Sequence, residues 1–479
     1  MAGRLITSTD IATGLGARRR DVILARLRAL KSDGAVPGVS ASPPTFTVGA
    51  NNGSPVISPY VELGMTSSKL TWAGYTKAIL SSGPFYAGGR TAASVRFVLG
   101  GARRFEARIK RLGSRGFSML VDGQKVMSGP WGASPGTSGL RVNGDAYVLA
   151  DFGSNTTSYA VADVQIASGG SGHAIGDVIA LSGGTSTTAA KARVTAVSAG
   201  VITGLEIADP GVYSVKPSNP VSQASSTGAG TSATFTVIWQ QAQTTAKTRK
   251  IEIFLDGQTY MGGLVVQATS ATVSPVVTPS YAPRLIVTGD SFTDYAFVDD
   301  IVDLWAIRLG YRLGLQDGLI PDGISGSGYL ALNGKSALSA RVAGIVAQSP
   351  DAMILALGLN EYLSSSSTSD LQAAVTANID SLHSQLPNLL ISVLTPWYAT
   401  SGYINAVKNG VAAAADQNRV RVIDLDAAGI YTAGASNSLI VASDSVHPAN
   451  TQGHAYLADL IAPLAADAFG QMAAAVMGF

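Results

Sequence analysis

The stretch that most constrains the fold is Arg284-Leu-Ile-Val-Thr-Gly-Asp-Ser-Phe-Thr-Asp294. Leu285 to Thr288 have the character of a strand buried on both faces, and they run directly into Gly289-Asp290-Ser291. Val298, Ile301, Val302, Trp305 and Leu309 then recur at helical spacing, which predicts a helix starting at once behind the serine. This order places a hydroxyl at the carboxyl end of a parallel strand, where open α/β sheets bind their ligands. The start of such a helix would also offer N–H groups and a positive dipole end to developing negative charge. Alone, Gly-Asp-Ser is a common tripeptide, and a serine there could simply cap the helix.

The same alternation continues to the end of the chain. Leu285–Thr288, Ala352–Leu357, Leu389–Leu394 and Val420–Leu425 read as strands, with a shorter one near Arg312–Leu315. Between and after them, Leu371, Val375, Ile379 and Leu382, then Ile404, Val407 and Val411, then Leu457, Leu460, Ile461 and Leu464 mark helices. Pro463 should kink the last one. Strands alternating with helices predict a parallel sheet covered on both faces for residues 283–479.

Upstream, the period changes from helical to two. Phe105, Ala107 and Ile109 alternate with charged residues, as in a half-buried antiparallel strand. Asp122-Gly123, inside Met119–Val126, fits a tight hairpin turn. Similar wording returns at Ile251–Gln258, so one β-sandwich is expected over residues 45–159 and 247–275. Residues 160–246, dense in Ser, Thr and Gly and poor in charge, read as a small β-module inserted into it, with His173 as a turn residue. Residues 1–44 form a basic helical arm, with Arg18, Arg19, Arg20, Arg26 and Arg28, followed by a Gly/Pro/Ser linker. A chain of 479 residues is too long for one ordinary core, which agrees with several units.

Bulk properties exclude several classes of function. A net charge of +2 gives no argument for nucleic acid or an anionic membrane surface as partner. With no Cys and only four His, neither disulfides nor a metal centre is expected, and no cofactor motif is present. The N-terminus lacks the apolar core of a secretory signal. No apolar run approaches the ~18 residues of a membrane span, so a soluble protein is expected.

Three features line up with Ser291. Asn360 opens the loop after the strand Ala352–Leu357, in Gly358-Leu-Asn360-Glu-Tyr362. Asp444-Ser-Val-His447 sets a carboxylate three residues before an imidazole, and Gly323-Ile-Ser-Gly326-Ser-Gly328 is a loop the backbone can approach closely. A serine hydroxyl needs a base to take its proton, and histidine serves near pH 7 when a carboxylate fixes its tautomer. An asparagine amide and backbone N–H groups can stabilise the oxyanion that follows. Trp397 and Tyr398, at the end of another strand, could line a sugar site, as could Tyr362; His454 reads as structural.

On these blocks, Gly-Asp-Ser291, Gly326, Gly-x-Asn360 and Asp444-x-x-His447, residues 284–470 resemble an SGNH (GDSL-type) hydrolase. The resemblance implies a flavodoxin-like fold, no metal or cofactor, and esterase activity. It implies Ser291 as nucleophile, His447 as base, Asp444 as its partner, and an oxyanion hole of the Ser291 N–H, the Gly326 N–H and the Asn360 amide. Gly328 is the alternative glycine, and Glu361 stands where the family usually has Asp. The preceding sandwich is similar to the jelly-roll of two-domain carbohydrate acetyl esterases, and the inserted module resembles β-modules of bacteriophage tail proteins.

That layout implies an esterase removing O-acetyl groups from a bacterial surface polysaccharide. The expected setting is a phage tail, hence a virion or the medium after lysis. A homotrimer is expected by analogy, with other tail proteins attached through residues 1–40. The alternatives are a non-catalytic glycan-binding tail fibre and a cellular lipase or esterase.

Overall fold

A computed structural model describes residues 19–478 apart from 42, 49, 51–52, 80–85, 112–116, 127–144, 154–158, 242–247, 258, 269–270, 279–280, 295–297, 299, 333, 430–443 and 445. Five strands make the C-terminal sheet: β1 (Leu285–Gly289), β2 (Leu319–Gly323), β3 (Ala352–Ala356), β4 (Leu390–Leu394) and β5 (Val420–Ile423). All neighbours run parallel, in the order β2-β1-β3-β4-β5. β1, β3 and β4 are buried at every position, which is why they read as continuous apolar runs. Gly289 lies level with Gly323 on one side and Ala356 on the other. The chain runs from β1 to β2 on one side and then crosses from β2 to β3 on the other side of β1, and such a switch point opens a crevice at the carboxyl ends.

Helices cover both faces of this sheet. They are α1 (residues 19–28), α2 (Trp305–Arg312), α3 (Val342–Ala347), α4 (Leu359–Leu363), α5 (Thr368–Gln385), α6 (Ser401–Ala412) and α7 (Asn450–Met477). Leu285 and Val287 join one core with α2 and α7, whereas Ile286, between them, joins a second core with α3, α5 and α6. The alternation follows from the period of two in a strand. The arm does not stand apart: Ile23, Leu24 and Leu27 of α1 are buried in the first core. Residues 1–18, with Arg18 of the basic cluster, lie outside the described residues.

Three expectations are corrected. Arg312–Leu315 is not a strand but the end of α2: Leu313 caps it, Gly314 turns the chain at φ +66, and Leu313 and Leu315 drop into the core. The strand is Leu319–Gly323, whose Pro321 is tolerated because β2 is an edge of its sheet. The helix expected directly behind Ser291 begins, among the described residues, only at Trp305, after a 3-10 turn at Ile301–Asp303. At the start of α2, His454 Nδ1 accepts the Trp305 N–H at 3.3 Å. Finally, α7 is long and apolar enough, by length and composition, to cross a bilayer, against the expectation of no such run. Leu457, Ile461, Ala465, Phe469 and Met472 pack into the first core, and the helix runs on through Pro463.

The upstream region is antiparallel. An eleven-stranded sheet spans Thr45–Val48 to Thr272–Pro275. Phe105, Ala107 and Ile109 share its core with Val95, Phe97, Leu99, Ile251, Ile253 and Leu255. Asp122 (φ 50) and Gly123 (φ 82) make the tight turn of the hairpin. Between its strands Asp145–Asp151 and Arg249–Asp256, an eight-stranded sheet runs from Tyr159 to Gln241 with its own core around Tyr213 and Phe235. His173 is buried there, with Nδ1 3.9 Å from Asp177 Oδ2.

The eleven-stranded sheet grips the C-terminal unit at the carboxyl end of β2. The Thr91 hydroxyl donates to the Gly323 carbonyl at 2.9 Å and accepts the Gly323 N–H at 2.7 Å. Buried Lys125 pairs with Asp303 at 2.8 Å, and Ser118 donates to Asp300 at 2.5 Å. The start of the glycine-rich loop is thus fixed from outside its own sheet.

Candidate active site

Ser291 stands on a turn rather than a helix. The Asp290 carbonyl accepts the N–H groups of Thr293 (3.1 Å) and Asp294 (2.9 Å), and the Asp290 carboxylate accepts that of Phe292 (3.0 Å). This side-chain-to-backbone bond is the Asx pattern that closes tight turns. Asp290 is fully buried, and burial, then the nearby Glu361 carboxyl, push its pKa up to about 7.

His447 Nε2 lies 2.7 Å from Ser291 Oγ, and His447 Nδ1 lies 2.5 Å from Asp444 Oδ2. The other Asp444 oxygen accepts the N–H groups of Val446 (2.9 Å) and His447 (3.0 Å). Partial burial alone would raise the Asp444 pKa, but the hydrogen bonds from His447 and Val446 outweigh it and hold the carboxyl below its ordinary range. A carboxylate kept ionised, an imidazole fixed by it and a hydroxyl within reach of the far nitrogen can generate a serine nucleophile near neutral pH.

Asn360 lies in α4, at the carboxyl end of β3, and its Nδ2 donates one hydrogen to the Ser327 carbonyl at 2.9 Å. An amide nitrogen carries two hydrogens, so a second is left for a ligand. The two candidate glycines separate by environment. Gly326 is half-buried in a turn at φ +76. Gly328 is buried beneath Glu361, whose Oε1 would be 2.2 Å from a Cβ there. Glu361 Oε1 also accepts the Leu330 N–H at 2.9 Å, and burial raises its pKa. The longer acid at this position therefore reaches under the glycine-rich loop and holds it.

The aromatic residues divide. Trp397 is a correction: it is 2% exposed, stacked on Phe292 at 4.7 Å and edge-on to Trp305 at 5.4 Å, so it backs the nucleophile turn and cannot line a sugar site. Phe292 in turn lies 5.3 Å from the His447 ring. Tyr362 and Tyr398 are half-buried and meet edge-to-face at 6.4 Å. Burial, then Asp444, push the Tyr398 pKa up to about 12.

Residues 287–456 match the model of the GDSL-like Lipase/Acylhydrolase family. The C-terminal unit is a GDSL-type hydrolase domain. Among solved structures, the whole chain is similar to the salicylyl-acyltransferase SsfX3 from a tetracycline biosynthetic pathway, at 11% identity and a TM-score of 0.49, over 84% of this chain and 95% of that one. It is also similar to a family two carbohydrate esterase from Cellvibrio japonicus, at 12% identity and a TM-score of 0.48, over 86% and 98% of the two chains. A family two carbohydrate esterase from Clostridium thermocellum, in complex with cellohexaose, gives 11%, 0.49, 84% and 99%. No curated protein matches the chain.

Sequence reasoning missed the floor of the hydrolase site. Arg341, Asp322 and Ser327 are all buried there. Arg341 falls on the apolar face set by Leu338, Val342 and Ile345, and a lone charge on such a face was the available signal.

Proposed function

We propose that the chain is a serine esterase that removes O-acetyl groups from a polysaccharide through an acyl-enzyme on Ser291. The observation that carries this reading is the unbroken chain Asp444–His447–Ser291, with links of 2.5 and 2.7 Å. His447 takes the Ser291 proton as Oγ attacks the acetyl carbonyl. The Ser291 and Gly326 N–H groups and the Asn360 amide receive the oxyanion. Collapse expels the sugar hydroxyl, which takes the proton from His447. Water, deprotonated by His447, then adds to the acyl-enzyme; collapse releases acetate and returns the proton to Ser291.

The carbohydrate part is supported by the half-buried Tyr362–Tyr398 pair and by the layout of a large antiparallel sheet ahead of the hydrolase domain. Amphipathic rings of this kind suit the apolar face and the hydroxyls of a sugar. The setting in a phage tail, as a trimer attached through residues 1–40, is proposed from the layout of the sequence alone; a monomer by light scattering would count against it. For the activity, acetylated bacterial polysaccharides are incubated with the protein and with Ser291→Ala, and acetate is assayed. Release by the first and not the second is expected. Equal release by both sinks the proposal.

A further inference from the structure

We infer that Arg341 is the positioning residue that sets the oxyanion hole, by fastening the nucleophile turn and the glycine-rich loop to one buried guanidinium. The inference deepens the reading of Ser291 as an acyl-accepting nucleophile and rests on it. Arg341 Nη1 donates to the Gly289 carbonyl at 3.0 Å and to Ser327 Oγ at 3.1 Å. Its Nη2 donates to the Asp322 carboxylate at 2.8 Å and to the Asp322 carbonyl. One side chain thereby ties the ends of β1 and β2 to the loop that follows β2.

The three tethered points flank the groups that would face an oxyanion. Ser291 lies two residues beyond Gly289, and Gly326 directly precedes Ser327. Asn360 is one hydrogen bond away, because its amide donates to the Ser327 carbonyl at 2.9 Å. Every donor of the proposed hole is thus referred to the same plane of the same side chain. A guanidinium suits this role: it is planar, permanently charged, and directs its donors in a fixed fork that a lysine ammonium cannot copy. Arg341 is buried, at 2% exposure, so it acts through Ser291, Gly326 and Asn360 rather than on substrate.

A displacement of about 1 Å at such a hole lowers turnover roughly 10²-fold. Steady-state kinetics with p-nitrophenyl acetate are measured for Arg341→Lys, Arg341→Ala, Ser327→Ala and Ser291→Ala, each alongside its thermal melting curve. For Arg341→Lys, kcat is expected to fall about 10–100-fold with KM within about threefold. Ser327→Ala removes one tether without unburdening a buried charge, and a several-fold fall in kcat at an unchanged melting temperature is expected. Inactivation by an organophosphonate, whose adduct also places an oxygen in the hole, should slow in parallel with kcat. Where Arg341→Ala loses its fold through the unpaired Asp322, the other two variants decide. Wild-type kcat in both folded Ser327→Ala and Arg341→Lys, with Ser291→Ala inactive, overturns the role of Arg341 alone. Activity retained in Ser291→Ala overturns the reading beneath it.

Discussion

Asp444–His447 and Asp322–Arg341 each join a carboxylate to a nitrogen group, at 2.5 and 2.8 Å, yet their side chains are 33% and 19% exposed in the first pair and 0% and 2% in the second. The exposed pair sits at the rim of the crevice, where water can exchange protons with the imidazole. Such a pair contributes little to folding, because solvent screens it. The buried pair lies beneath the nucleophile turn, where removing either partner leaves an uncompensated charge in the interior. On the proposed chemistry the two pairs have separate duties: the rim pair moves a proton, and the floor pair holds still the groups around which it moves.

The comparison can be broken most directly at the rim. Ser291→Ala should lower ester hydrolysis by roughly 10⁴–10⁶-fold while leaving the melting temperature unchanged, since the hydroxyl is not part of the core. Asp444→Asn should lower kcat by about 10²–10⁴-fold through loss of the tautomer-fixing carboxylate, with only a small loss of stability because the pair is partly exposed. A large fall in melting temperature for either variant would mean that the rim carries the fold after all.

Smaller effects sharpen the account of the floor. Gly328→Ala places a Cβ 2.2 Å from Glu361 Oε1, so the loop must shift, and kcat should fall about tenfold along with the melting temperature. Adding Glu361→Asp shortens the opposing acid and should restore part of both, a coupling that a double-mutant cycle reads. Additive losses would show that the two residues do not press on one another.

The last expected effect is a pH dependence of stability rather than of rate. Burial, then Glu361, raise the Asp290 pKa to about 7, far above its unfolded value near ~3.9. Between these values the folded state holds a proton that the unfolded state has lost, so stability falls as pH rises from about 4 to about 7 and levels off beyond. Asp290→Asn keeps an acceptor for the Phe292 N–H but removes the titration. Its melting temperature should match wild type near pH 4 and exceed it at pH 8. Parallel curves would show that Asp290 ionises in the fold as it does in the open chain.

Much of the hydrolase domain was legible because its strands are buried on both faces and so stand out as apolar runs. β2 was the exception: Pro321 and Asp322 break the run, and Leu313 and Leu315, which are merely the buried end of α2, drew the reading to the wrong place. Ser291, His447 and Asp444 could be singled out because the chemistry of a serine nucleophile dictates such types, and the fold brings the three within hydrogen-bonding distance. Trp397 was misplaced because a strand end tells which residues sit near a crevice but not which way a ring turns; Phe292 and Trp305 turn it inward. Arg341 was missed because its partners, Gly289, Asp322 and Ser327, come from three separate segments that only the folded sheet brings together.

The docking of α1 bears on how the hydrolase domain could be cut from its chain. Ile23, Leu24 and Leu27 fill the same core as α7, and the Gly34 N–H donates to the Arg312 carbonyl at 2.9 Å. A fragment excised at residue 283 would keep its whole sheet and triad and yet carry an oily scar where the N-terminal helix had lain. Any transplant of this catalytic unit onto another scaffold would have to bring residues 19–34 with it, or refill the groove they vacate.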